Sequence, residues 1–260
     1  MTDVTAAPGP GPAVETAFPR VPRSPEFPEL RRRGPGGPRR AAPARDPRPA
    51  PSPDPQLVLV RHGETEWSAS GRHTGRSDVP LTVAGEQQAV AAGVWLQGWA
   101  DRRGRRPAVV LTSPRERARR TADLAGFPAA TTDDDLAEWD YGPVEGRTSV
   151  AVGEQLGREW LLFRDGVNVL AAPDGHHGEE LDQVAARAAR VLGRVEPTLQ
   201  DGDDVVLFAH GHLLRVLATV WLGLDPTLGA RFELGTAAIC LLGYGHGLRT
   251  VEGWNLAAQG

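Results

Sequence analysis

The sequence predicts an α/β fold, a three-layer α/β/α sandwich around a mostly parallel central sheet. Short apolar runs with the length of buried strands recur, clearest in Leu57-Val58-Leu59-Val60 and Val205-Val206-Leu207-Phe208-Ala209. Longer segments with helical periodicity separate them, the pattern of a parallel sheet covered on both faces. Both runs also end in histidine followed by glycine, as Arg61-His62-Gly63 and His210-Gly211-His212. In open α/β sheets ligands bind at the carboxyl ends of strands, so the two tips point to one shared site.

Residues 1–54 stand apart. They hold most of the prolines, many arginines and almost no apolar periodicity. Such a segment buries too little surface to offset its ordering entropy, and a disordered tail is expected. Arg31-Arg32-Arg33 and Arg39-Arg40 are its candidates for an acidic partner, but an inert tail or an overlong gene start is the simpler account. Arg31-Arg32-Arg33 is not an export signal, because no apolar segment follows it. Residues 55–260 form the expected catalytic domain. The first strand is expected over 57–61. A helix follows from Thr82, its N-cap, to Trp99, with Val83, Val90, Val94 and Leu96 apolar. A strand over 108–112, a helix over 115–125 and a short strand near 129–132 lead to Asp133-Asp134-Asp135. One helix is expected over 149–165 with Trp160, Leu161 and Phe163 inward, and an amphipathic one over 179–195. Strand 205–209, a helix over 212–222 and strands near 236–244 and 248–252 complete the chain.

Composition excludes several chemistries. The 260-residue chain carries 29 basic residues, all arginine, so no lysine is available for a Schiff base or a Walker motif. A formal net charge of -4 gives no global attraction to nucleic acid. The single cysteine, Cys240, excludes an internal disulfide and multi-cysteine metal sites, and its apolar setting reads as core. No apolar stretch reaches membrane-spanning length. A cytoplasmic location is expected, without contact with membrane or nucleic acid, and the oligomeric state is unreadable.

The segments after strand ends collect the reactive side chains. They supply Arg61 and His62, then Thr112-Ser113-Pro114-Arg115 at a helix start, then Glu138, then His210. Arginine forks suit phosphate oxygens, and Arg115 near a helix N-terminus adds backbone donors. A neutral imidazole can attack phosphorus, and neighbouring arginines keep it neutral. A carboxylic acid can protonate the departing alcohol and later activate water.

Leu59-Val60-Arg61-His62-Gly63-Glu64-Thr65-Glu66-Trp67 resembles the signature of the histidine phosphatase superfamily, which includes the phosphoglycerate mutases. The likeness continues through Thr74-Gly75, Leu81-Thr82, Thr112 to Arg115, Glu138, Gly178-Glu179 and His210-Gly211, covering about 57 to 245. Glu66-Trp67-Ser68, Asp133 to Leu136, Glu138 to Gly142 and Phe208 to His212 look closest to the sedoheptulose-bisphosphatase-like and acid phosphatase branch. The resemblance implies that His62 is the phosphorylated nucleophile, that Arg61, Arg115 and His210 hold the phosphoryl group, and that Glu138 donates the proton. It places Ser68, Thr74, Gly75, Trp139, Tyr141 and Gly211 toward the substrate, a small phosphorylated metabolite such as a sugar bisphosphate, with no metal or other cofactor. His73 departs from the tyrosine that branch carries, which bears on the sugar contacts.

Between Glu138 and Gly178 the basic residues are the isolated Arg147, Arg158 and Arg164, whereas mutases of this family carry a longer insertion with paired arginines. Water is therefore the expected acceptor, with a phosphoglycerate mutase or a non-catalytic phospho-ligand binder as alternatives. Arg147 or Arg164 is a candidate for a second phosphate. His210 and His212 as a metal pair, and Asp133 to Asp135 as a cation site, are weaker readings than a phosphate site and a solvated turn. Arg117, Arg119 and Arg120 read as a solvated helix face, Arg102 to Arg106 as an exposed loop, and His176-His177 as an exposed loop or the substrate rim.

Overall fold

A computed structural model describes residues 54–172 and 175–257. The tail expected over 1–54 lies, apart from Asp54, outside the described residues. Six strands form one sheet: β1 (Leu57–Arg61), β2 (Val109–Thr112), β3 (Thr131–Thr132), β4 (Val205–Ala209), β5 (Ile239–Gly245) and β6 (Leu248–Leu256). Their order is β3-β2-β4-β1-β5-β6. β3, β2, β4 and β1 pair in parallel, so their carboxyl ends share one edge. β5 and β6 are antiparallel to their neighbours. A two-residue turn joins them, with His246 and Gly247 both at positive φ (54° and 77°), the backbone of a type I′ hairpin.

Alternation along the strands divides two cores. Leu57, Leu59, Val205, Leu207, Cys240 and Leu242 face one, with α6 (Leu181–Gln200) and α7 (Gly211–Trp221). Val58, Val60, Val206, Phe208 and Ile239 face the other, with α2 (Val83–Arg103) and α3 (Glu116–Leu124). Period-two strands with apolar residues on both faces require helices on both faces, and this gives the three layers.

Several element details differ from the sequence expectation. The helix expected over 149–165 is two short ones, α4 (Ser149–Leu156) and α5 (Leu162–Asp165). Gly157 ends α4 at φ 66°, a left-handed stop that glycine adopts without steric cost. Trp160 and Phe163 are buried, but Leu161, at the start of α5, is 48% exposed. On α2, Val83, Val90 and Val94 face solvent, and Ala89, Ala92, Leu96 and Trp99 face the sheet. The contact of α2 with the end of α3 is close. A Cβ on Gly93 would lie 2.8 Å from Ala125 backbone. Arg103 and Arg105 are not a free loop. Both fork onto Asp204, whose side chain is fully buried before β4. Asp133 and Asp135 are ion-paired to Arg194 and Arg190 rather than free in water.

Candidate active site

The parallel edge assembles the site by continuing its backbone ladder past the strands. His62 N donates to Ala209 O (2.9 Å), Ser113 N to Phe208 O (2.9 Å) and Asp133 N to Thr112 O (2.9 Å). The segments carrying His62, Ser113 and His210 are thereby locked side by side. The loop after His62 is pinned by glycine. A Cβ on Gly63 would lie 2.3 Å from Gly85 O, and one on Gly85 2.1 Å from Glu64 O.

The rings of His62 and His210 are 5.2 Å apart, centre to centre. His62 Nδ1 lies 2.7 Å from Gly63 O. A carbonyl only accepts, so Nδ1 carries the proton and Nε2 keeps its lone pair. Burial, then the charges of Arg61 and Arg117, hold this imidazole well below its ordinary range, so it is neutral at pH 7. His210 is fully buried, with Nε2 2.6 Å from Ser113 Oγ. Burial and then Arg117, His62, Arg115 and Arg61 hold it neutral as well.

Four buried nitrogens around these rings have no hydrogen-bond partner among the described residues: Nε of Arg61, Arg115 and Arg117, and Nδ1 of His210. Arg61 is fixed by Nη1 donating to Leu234 O. Gly211 leaves room for it, since a Cβ there would come within 3.3 Å of Arg61 Nε. Glu138 is 7% exposed. Its Oε1 accepts from Trp139 N (3.0 Å) and Leu213 N (2.9 Å), and its Oε2 from His212 N (3.1 Å). The carboxyl group therefore sits on the first turn of α7, where orphan amides favour an acceptor.

A cavity of about 210 Å³ opens over this cluster, lined by Arg61, His62 and Glu138. Ser68, Thr74, Tyr141 and Gly211 also line it. The Ser68 hydroxyl is already engaged in the N-cap of the short helix α1 (Glu66–Ala69), accepting from Thr65 N at 2.8 Å. Two residues expected toward the substrate lie elsewhere. Trp139 is fully buried in the core, edge-on to Phe163 with its indole donating to Glu179 O (2.8 Å). Gly75 packs behind the cavity, where a Cβ would meet Trp139 O at 2.4 Å. Arg147 and Arg164, candidates for a second phosphate, are turned to surface partners, Gln155 and Asp165. Besides Arg61, the arginines that line the cavity are Arg72 and Arg215. His176 pairs with Asp140 (2.9 Å) and does not line the cavity.

Arg117 departs from the solvated helix face that its sequence neighbours suggest. It is fully buried, not a solvated face. Its Nη1 donates to Ser77 O (2.8 Å) and its Nη2 to Thr74 O (2.8 Å) and Gly75 O (3.2 Å). Asp78 approaches no closer than 3.8 Å. The signal was the helical wheel: Arg117 shares its face with Ala118, Thr121 and Ala122, all buried. Arg119 and Arg120 are exposed as expected.

The family model for the histidine phosphatase superfamily (branch 1) matches residues 57–257. An acid phosphatase of Mycobacterium tuberculosis is 38% identical over 75% of this chain and 89% of its own length. Sedoheptulose 1,7-bisphosphatase of Saccharomyces cerevisiae is 35% identical over 65% and 68%. A 2,3-bisphosphoglycerate-dependent phosphoglycerate mutase of Cytophaga hutchinsonii is 32% identical over 71% and 85%. Among solved structures, the product of a Mycobacterium tuberculosis open reading frame superposes with a TM-score of 0.70 at 36% identity, over 79% of this chain and all of that one.

Proposed function

The chain belongs to the histidine phosphatase superfamily, and from that premise we propose that it is a metal-independent phosphomonoesterase acting on small phosphate esters through a phosphohistidine on His62. The observation that carries the reading is the ring of buried, unpartnered donors around a neutral imidazole. Three guanidinium Nε groups and His210 Nδ1 are desolvated without acceptors among the described residues. Leaving such groups unpaired is costly, and a phosphoryl group supplies the acceptor oxygens they lack. Neutral His210 serves best with its proton on Nδ1, the tautomer in which the Ser113 hydroxyl donates to Nε2. Arg117 joins Arg61 and Arg115 in this role, and its grip on the 74–77 carbonyls fixes the cavity wall.

His62 Nε2 attacks phosphorus, the N–P bond forms and the ester P–O bond breaks. Glu138 gives its proton to the departing alkoxide. Water then attacks the phosphohistidine, Glu138 takes its proton, and the N–P bond breaks to release phosphate. The expected outcome is phosphate release from sedoheptulose and fructose bisphosphates, 3-phosphoglycerate or p-nitrophenyl phosphate without added metal, and none from His62→Ala. Substantial turnover by that variant would overturn the mechanism. A mutase would instead interconvert monophosphoglycerates, on addition of bisphosphoglycerate, faster than it hydrolyses them.

A further inference from the structure

His212 lies outside the phosphoryl cluster yet lines the same cavity, beside Tyr141. Its Nδ1 is 2.5 Å from Tyr141 Oη. Tyr141 makes no other hydrogen bond through Oη to the described residues, so its proton goes to Nδ1. Burial, with Glu138 and Glu145 nearby, raises the phenol well above its ordinary value, so it keeps that proton. Burial and then Arg215 hold His212 neutral. A neutral imidazole that accepts on Nδ1 carries its hydrogen on Nε2. That hydrogen lies across the ring from Tyr141, and Tyr141 Oη is left as an acceptor only.

His73 completes the wall. Its ring is 4.9 Å from Tyr141 and 5.8 Å from His212. Its Nε2 lies 3.2 Å from Ser149 Oγ, and burial lowers its pKa to about 4, so this ring too is uncharged at pH 7. Glu233 adds a carboxylate to the cavity lining. The rival attractions are Arg72, which also lines the cavity, and Arg215, whose Nε is engaged with Gly229 O (2.8 Å) and whose guanidinium lies over Phe163.

Resting on the phosphatase reading above, we infer that His212 is a positioning residue that selects hydroxyl-bearing phosphate esters over carboxylate-bearing ones. By taking the Tyr141 proton, it leaves Oη with lone pairs only, an acceptor that a substrate hydroxyl satisfies by donating. A carboxylate only accepts, and its lone pairs would face those of Oη. Sites that hydrogen-bond a substrate group discriminate through the partner left unpaired.

The test compares glycerol 3-phosphate with 3-phosphoglycerate, which differ in a terminal CH2OH against a carboxylate. Affinities are measured calorimetrically in the full-length His62→Ala background, where turnover does not interfere. Each is read relative to inorganic phosphate on the same variant, so a general loosening of the pocket cancels. The hydroxyl ester is expected to bind more tightly. His212→Phe is expected to erase about tenfold of that preference, the worth of roughly one such hydrogen bond. Tyr141→Phe should do the same, and the double variant no more than either alone, because the two side chains act as a unit. His212→Asn, whose amide oxygen replaces Nδ1 as acceptor, should restore part of it. An unchanged ratio in His212→Phe, a preference for the carboxylate ester, or binding of neither ester while phosphate binds would overturn the inference. Failure to bind inorganic phosphate would overturn the phosphoryl site itself, a separate result.

Discussion

The two ends of β4 handle buried charge in opposite ways. Before the strand, the carboxylate of Asp204 accepts from Gln56 N and from both Arg103 and Arg105. After the strand, His210 lies among arginines whose buried Nε groups have no partner among the described residues. One end is a closed network in which two guanidinium groups share one carboxylate. The other holds buried guanidinium nitrogens and neutral imidazoles that no carboxylate hydrogen-bonds, the Glu138 carboxyl being turned to the amides of α7. Unpaired buried polar groups cost stability and persist where an exogenous partner completes them. The contrast assigns stability to the amino edge of the sheet and chemistry to the carboxyl edge.

The largest expected effect tests the second half of that contrast. His62→Ala should lower turnover by on the order of 10⁵-fold, as loss of a nucleophile does, while chemical denaturation shows a fold at least as stable. Next, Arg117→Met should lower kcat/KM by roughly 10² to 10³-fold, the scale for removing one preorganised donor to a developing oxyanion. It should cost more than Arg115→Met, because Arg117 also holds the 74–77 carbonyls. Equal effects would mean that its grip on those carbonyls adds nothing to turnover.

At the other end, Asp204→Ala should destabilise by about 3 kcal/mol, since it leaves two largely buried guanidinium groups without their anion. Its kcat, measured below its unfolding midpoint, should stay near wild type. A large kcat loss there would dissolve the division between the two ends. The smallest effect separates them by pH. Histidines in an unfolded chain take protons near pH 6.5. His62, His210 and His212 are held well below that value, and His73 at about 4. The unfolded state therefore binds more protons below pH 6.5, and stability present above it is lost as pH falls toward the folded values. Asp204 is depressed from its ordinary 3.8, so its contribution is lost only below that. Urea midpoints should first decline below pH 6.5, and His73→Gln should flatten part of that slope.

The sequence made the strands and the two histidine tips legible because both depend on local pattern. Val205 to Ala209 is apolar throughout, as a strand buried on both faces must be, and His210 follows directly. Residues whose fate depends on tertiary neighbours were less legible. Arg117 reads as one charge in a basic helix, and only the packing of α3 against the 74–77 loop turns it inward. Trp139 adjoins Glu138 in sequence, but successive side chains of an extended segment diverge, so the neighbour of a site residue went to the core. Val83, Val90 and Val94 are apolar yet face solvent, because Ala89, Ala92, Leu96 and Trp99 carry the inner face of α2. Gly157 was passed over as one more glycine, although its left-handed backbone divides two helices.

The reciprocal contact of Gly63 with Gly85 sets a limit of another kind. Each would-be side chain meets main-chain atoms, Gly85 O in one case and Glu64 O in the other. A steric conflict between two side chains can be relieved by shrinking one of them. A conflict with a carbonyl oxygen offers nothing to shrink, so no second substitution rescues the first. The two positions form a dead end for sequence drift, closed jointly as well as singly, immediately beside His62.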